Sequence, residues 1–480
     1  MSATDTPRRV SRRAFLGATA GSAAWLAAGG LGGLLTGNAL AAKPTSGTRN
    51  PLYKPTTEST TGRTGLQLTA APGTVNLGGG KTSKAWVYNG LLPGNGGLPG
   101  PTLVARTGDT ATIKLVNGLT EPTITHWHGM LVDHLNDGHP TEAIERGGAY
   151  PYAFLILNRA ALNWYHPHPH MLTGKQVAMG LAGAFIIRDA EEDDLRLPGG
   201  VYEVPLVLRD TAFDSTGNIA YKPRSGGFEG PIPLVNGTLN PYLDVEPAVY
   251  RFRVLGGANA RIFGLALGNA APFVLIGNDG GLLSSAVSIR QVDLGPGERL
   301  DLLVDFRLMG AGSTVMLRDL RAGWDLLEFR RVGTTVVNNM PTSTALSALS
   351  AITPLVVGPT TVTRFFSFDG MSRINGREYD MNRIDFTVPF EVVERWQFTT
   401  GGNAPHPVHI HGASFQVVSR TGGRNKLFPW ESGWKDTVLL EDRETVEVLI
   451  RFDAYKGIYL MHCHKLEHED MGMMSNFEVA

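Results

Sequence analysis

Cysteine is all but missing: Cys463 is the only one among 480 residues. A lone cysteine excludes an internal disulfide framework, which leaves packing, nucleophilic chemistry or metal ligation as its role. Histidine is missing from most of the chain. None precedes His126 and none lies between residues 171 and 405, yet the chain holds 13. An excess of charge of either sign is also lacking: 43 Lys and Arg against 44 Asp and Glu give −1, which leaves no basic footprint for nucleic acid. Beyond the N-terminal segment no apolar run approaches the length that crosses a bilayer.

The N-terminal segment reads as a leader. Ser11-Arg12-Arg13-Ala14-Phe15-Leu16-Gly17 is a twin-arginine pattern, an Ala/Gly/Leu stretch follows, and Ala39-Leu40-Ala41 offers a cleavage site. Residues 1–41 are therefore expected to engage the twin-arginine export machinery and to be removed, leaving no membrane anchor. The protein is expected in a periplasm or outside the cell. Residues 42–63, polar and rich in Pro, Thr and Ser, read as a flexible arm.

The remainder reads as β-rich, because short apolar runs are separated by turns drawn from 59 Gly and 29 Pro. Three units are expected, at 64–190, 200–335 and 363–480, with a Ser/Thr/Ala/Pro-rich linker at 338–362. A repeat supports the division. A strand, a Gly/Asn turn and His-x-His-Gly occur at 110–129 and again at 393–412. The middle unit has the matching strand and turn at 250–260 without histidines. His-x-His, Met-Gly and a closing strand occur at 166–187 and at 462–479, and Leu181 stands where Met473 stands. Three copies of one β-sandwich follow, with ligands kept in the first and third.

The histidines fall in two blocks, seven between His126 and His170 and six between His406 and His468. Scattered surface histidines would not leave the gap between, so the blocks are expected to converge in space. Four His-x-His pairs supply eight imidazoles: His126/His128, His166/His168, His409/His411 and His462/His464. Left over are His406, Cys463, His468 and Met473. Two imidazoles, a thiolate and a weak thioether are the donor set of an electron-transfer copper. Side chains on a strand alternate in facing, so Cys463 should face one site while His462 and His464 face another. Zinc would need neither the thioether nor an electron path. A buried structural cysteine, or a thiol nucleophile, would not explain the whole pattern.

In these motifs the chain resembles the three-domain bacterial multicopper oxidases of the laccase group, over nearly all of its length after the leader. The resemblance implies an all-β fold of three consecutive cupredoxin-like Greek-key β-sandwich domains. It implies four copper ions. His406, Cys463 and His468, with Met473 axial, would hold the type 1 ion, and His126 and His409 the type 2 ion. His128, His166 and His464 would hold one type 3 ion; His168, His411 and His462 would hold the other. Donors would be oxidised one electron at a time and O2 reduced to water. Asp137 and Glu469 match acids that deliver protons, and Asp436 matches an acid that orients a type 1 histidine. His134, His139 and His170 fall outside the motifs and are expected in loops or at the surface.

The donor is expected to be a small aromatic reductant, a phenol or an aromatic amine. An alternative is Cu(I) or another metal ion, oxidised in copper tolerance. Some relatives of that kind carry a methionine-rich insertion, but the linker here has only Met340, and Gly402 replaces an acid four residues before His406. A third reading, an exported scaffold or copper carrier without turnover, conflicts with the complete ligand set. A monomer is expected.

Overall fold

A computed structural model describes residues 48–60, 65–89, 97–224, 226–402 and 405–480. The expected leader, residues 1–41, and the start of the arm lie outside the described residues.

The segment Thr110–Asn117 shows how the strands arise. Ala111, Ile113 and Leu115 alternate with Thr and Lys, and burial alternates with them. Its four-stranded sheet packs on a five-stranded one that runs in the order Thr57–Ser59, Thr102–Arg106, Gly183–Arg188, Ala161–Pro167, Thr125–His128. Leu68, Ile113 and Leu115 meet Trp127, Tyr165 and Phe185 between the two sheets. Two six-stranded sheets follow. One contains Val249–Gly256 and Arg299–Asp305, and Phe252, Phe306 and Phe329 fill its core. Two five-stranded sheets close the chain. One has the order Phe386–Val388, Met474–Val479, Gly457–Cys463, His406–Ile410, Thr437–Leu440. Trp396, Phe398, Val408 and Phe477 pack there with Cys463 and Met473. The fold is three consecutive cupredoxin-like β-sandwiches, each burying a core between two sheets.

The arm differs from expectation. Its described part, 48–60, is not loose. Asn50–Pro51 pairs in parallel with Pro241–Val245, and Thr57–Ser59 pairs in parallel with Thr102–Arg106. Leu52 enters the middle core. The arm straps the first two sandwiches by satisfying backbone groups along one edge of each. Bonds of that kind leave no mark in a polar composition. The 338–362 connector is also held. Ser343–Ser347 forms a short helix capped by Thr342, and the N–H of buried Leu349 donates to Ser284 O at 3.0 Å.

Candidate metal centre

Two strand pairs carry six of the 13 histidines. Thr125–His128 runs antiparallel to Ala161–Pro167 with His126 opposite His166. His406–Ile410 runs antiparallel to Gly457–Cys463 with His409 opposite His462. The same cross-strand relation thus recurs in the first and third sandwiches. All eight paired histidines are buried, and the two blocks meet. His126 stacks on His411 at 3.8 Å between ring centroids, and His128 stacks on His409 at 3.7 Å.

Hydrogen bonds fix the tautomers. A carbonyl can only accept, so an imidazole nitrogen bonded to one must carry the proton. Nδ1 of His126 donates to Asp137 O at 2.7 Å, and Nδ1 of His409 to Asp436 O at 2.9 Å. Nδ1 of His166 donates to Pro167 O at 2.8 Å, and Nδ1 of His462 to Cys463 O at 3.1 Å. Nδ1 of His411 donates to the Asp137 carboxylate at 2.7 Å. Each of these rings therefore presents a bare lone pair on Nε2. The lone pairs converge: His126 and His409 at 3.4 Å, and His411 and His462 at 3.0 Å. His168 Nε2 stands 3.4 Å from that of His462. His128 is reversed. Its Nε2 donates to Asp436 Oδ1 at 3.1 Å, and its Nδ1 faces His464 Nε2 at 3.2 Å.

Burial opposes protonation at seven of the eight rings. Burial pushes His462 and His168 down to about 3 and His409 to about 4, and holds His128, His166, His411 and His464 well below the ordinary range. Lone pairs opposed at such distances, on rings that resist protonation, call for a cation between them.

The chain turns Cys463 the other way. The rings of His462 and His464 lie 5.6 Å apart among the eight, while Cys463 Sγ lies 3.4 Å from His406 Nδ1 and 3.7 Å from His468 Nδ1. The strand ends at Cys463, yet the alternate facing carries on through His464. His406 Nδ1 and His468 Nδ1 are 3.3 Å apart. Burial lowers His406 to about 4 and His468 to about 3, and raises the Cys463 thiol to about 12. Met473 is buried in the same core, and its carbonyl accepts from Cys463 N at 3.1 Å.

Residues 69–192 and 352–480 each match a family profile described as multicopper oxidase. A multicopper oxidase from Staphylococcus haemolyticus is 34% identical over 82% of this chain and 85% of its own length. The chain belongs to the multicopper oxidase family. Two solved structures agree. The McoA multicopper oxidase of Aquifex aeolicus superposes with a TM-score of 0.81 at 35% identity, covering 90% of this chain and 99% of that one. A laccase from Pediococcus acidilactici gives 0.84 at 34%, covering 91% and 95%. This multicopper oxidase is a laccase-like oxidoreductase.

Membership implies bound copper, and the donors fit it. Imidazole and thiolate are ligands that copper accepts, the lone pairs are bare, and the thiol would be ionised by a bound cation. The donor atoms of His168, His411 and His462 lie within 4.8 Å of one another, as do those of His126, His128 and His166 and those of His406, Cys463 and His468.

The acids take definite places. Asp137 is fully buried and bridges His411 and His126, so it is no surface carboxylate. Glu469 is buried with Oε2 at 3.2 Å from His462 Nδ1 and Oε1 at 3.6 Å from His168 Nε2, and burial raises its carboxyl. Asp436 corrects the expectation. It was expected beside a histidine of the cysteine site, but its carboxylate meets His128 instead. The cause is register. Thr437–Leu440 runs antiparallel to His406–Ile410 with Thr437 opposite His409 and Leu440 opposite His406, so Asp436 enters at the far end.

His139 caps a short 3-10 helix and donates from Nε2 to Asn476 Oδ1 at 2.9 Å. It is buried in a loop rather than at the surface. His170 packs beside Tyr379, and His134 lies near Gly457. None of the three belongs to a group that could hold an ion among the described residues.

Sequence reasoning missed the middle sandwich's part in the site. A Cβ on Gly297 would lie 2.9 Å from His464 Cδ2 and 3.0 Å from His128 Cε1. Arg299, two residues on, reaches Asp436 with both terminal nitrogens. The Gly-Pro-Gly-Glu-Arg run signals a turn before a strand, but nothing in it signals what the turn touches.

Proposed function

We propose that this oxidase takes single electrons from phenols or aromatic amines and passes them to O2, which four electrons and four protons convert to two waters. Copper, when bound, supplies the one-electron chemistry. His406, Cys463, His468 and Met473 would hold the type 1 ion. His126 and His409 would hold the type 2 ion, and His128/His166/His464 and His168/His411/His462 the two type 3 ions, for four ions in all. The 64–190 and 363–480 units carry the ligands, and the 200–335 unit carries none.

One observation carries the reading: Cys463 faces one donor cluster while its chain neighbours His462 and His464 face the other. An electron received at the thiolate side has a covalent path of one residue to either imidazole. In this reading Glu469, buried against His462 and His168, and Asp137, between His411 and His126, would deliver protons, and their contacts with these histidines support it. The twin-arginine pattern supports export to a periplasm or the medium, where the chain acts as a monomer.

The test is oxygen uptake by copper-loaded protein with a dimethoxyphenol and with a stabilised Cu(I) complex. Faster uptake with the phenol is expected. Faster uptake with Cu(I) would make metal oxidation the function, and no uptake with either would leave a scaffold.

A further inference from the structure

The middle sandwich holds no copper ligand in this reading, yet it sends a buried cation to the site. Arg299 is wholly buried, and every contact pins it. Its Nε donates to Leu162 O at 3.0 Å in the first sandwich. Nη1 donates to Gly297 O at 3.0 Å and to Asp436 Oδ1 at 2.6 Å. Nη2 donates to Asp279 O at 3.1 Å and to Asp436 Oδ2. Asp436, in the third sandwich, spends Oδ1 again on His128 Nε2 of the first at 3.1 Å and on Thr437 Oγ1 at 2.9 Å. One residue from each sandwich thus forms a line that ends on a histidine.

We propose that Arg299 is a positioning residue, which through the Asp436 carboxylate holds His128 turned with Nδ1, not Cδ2, toward His464. A flip of the imidazole about its ring torsion would put Cε1 against the carboxylate and Cδ2 toward His464, so His128 would offer that side no donor. A planar guanidinium bonded to both oxygens fixes the carboxylate plane, and the carboxylate fixes the ring. A lysine would keep the charge and lose the fork.

The inference rests on reading His128 as a copper ligand, and the experiment separates the two. Copper-loaded wild type and Arg299→Lys are compared by total copper, by the fraction visible in electron paramagnetic resonance, and by the visible absorbance of the Cys463 site. In Arg299→Lys the Cys463 absorbance should persist. The fraction visible in resonance should rise, because two copper(II) ions are silent only while magnetically coupled. Turnover should fall about ten-fold at unchanged donor KM. A visible fraction equal to that of wild type would overturn the positioning role alone. Loss of the Cys463 absorbance would also overturn it, since Arg299 would then be holding the fold. Wild type without silent copper would remove the ligand reading and the inference with it.

Discussion

Nε2 of His126 and Nε2 of His409, on strands 283 residues apart in the chain, face each other across 3.4 Å. Both carry lone pairs, because both Nδ1 atoms are committed to backbone carbonyls. Without a cation between them the two lone pairs would repel, and the same holds between His411 and His462.

Copper should consequently stabilise the fold. Removing it by chelation under reducing conditions should lower the melting temperature, and resupply should restore it. Linkage alone gives about 4 kcal/mol for each site when free metal exceeds Kd about a thousand-fold. Scanning calorimetry with and without copper reads the shift, and coincident melting curves would contradict the convergence of lone pairs.

Gly297 should tolerate no side chain. Its φ of +82° disfavours any L residue, and a Cβ would press on His464 and His128. Gly297→Ala should cost about 1–3 kcal/mol in strain and displacement. Electron paramagnetic resonance should register a disturbed histidine site with the Cys463 absorbance intact. A variant with wild-type copper content, spectrum and melting point would show that the close approach is of no consequence.

Glu469→Gln should slow turnover without weakening donor binding. The buried carboxyl sits against His462 and His168, and burial raises it, so it can carry a proton that glutamine cannot. Loss of one positioned acid is worth about a hundred-fold in kcat. Steady-state oxygen uptake separates kcat from KM, and an unchanged kcat would remove Glu469 from proton delivery.

Acid should loosen the middle sandwich through Glu192 and Glu203. Burial alone would raise both carboxyls. The guanidinium of Arg253, helped by Arg251 and Arg188, more than offsets burial and holds each at about 2, against an ordinary 4.5. A carboxyl lowered by folding stabilises the native state above its unfolded value and loses that contribution as pH falls toward its folded one. Each group should thus contribute about 3 kcal/mol above pH ~4.5, lost by pH ~2. Urea midpoints across that window should show a shallower acid limb for Glu203→Gln than for the parent chain. Equal slopes would mean that the ion cluster does not set acid stability.

What was legible in the sequence was whatever is local in the chain. Alternation in Thr110–Asn117 and the repeated strand-turn-histidine units gave the β class and the three-fold repeat. The gap between histidine blocks gave their convergence. What was hidden depends on register between distant strands. The facing of Asp436 follows from Thr437 pairing with His409, the strap at 48–60 from backbone bonds to two sheet edges, and the reach of Arg299 from the docking of three sandwiches. No spacing within one segment encodes any of these.

The central claim is that Cys463 joins an electron-receiving site to a separate histidine site. Cys463→Ser tests it most directly, with copper per chain and oxygen uptake measured on the same preparation. The account predicts one copper fewer than in the parent protein, no visible absorbance, an intact histidine-site resonance and no donor-driven oxygen uptake. Undiminished oxygen uptake in that variant, or loss of the histidine-site copper with the cysteine, would contradict it.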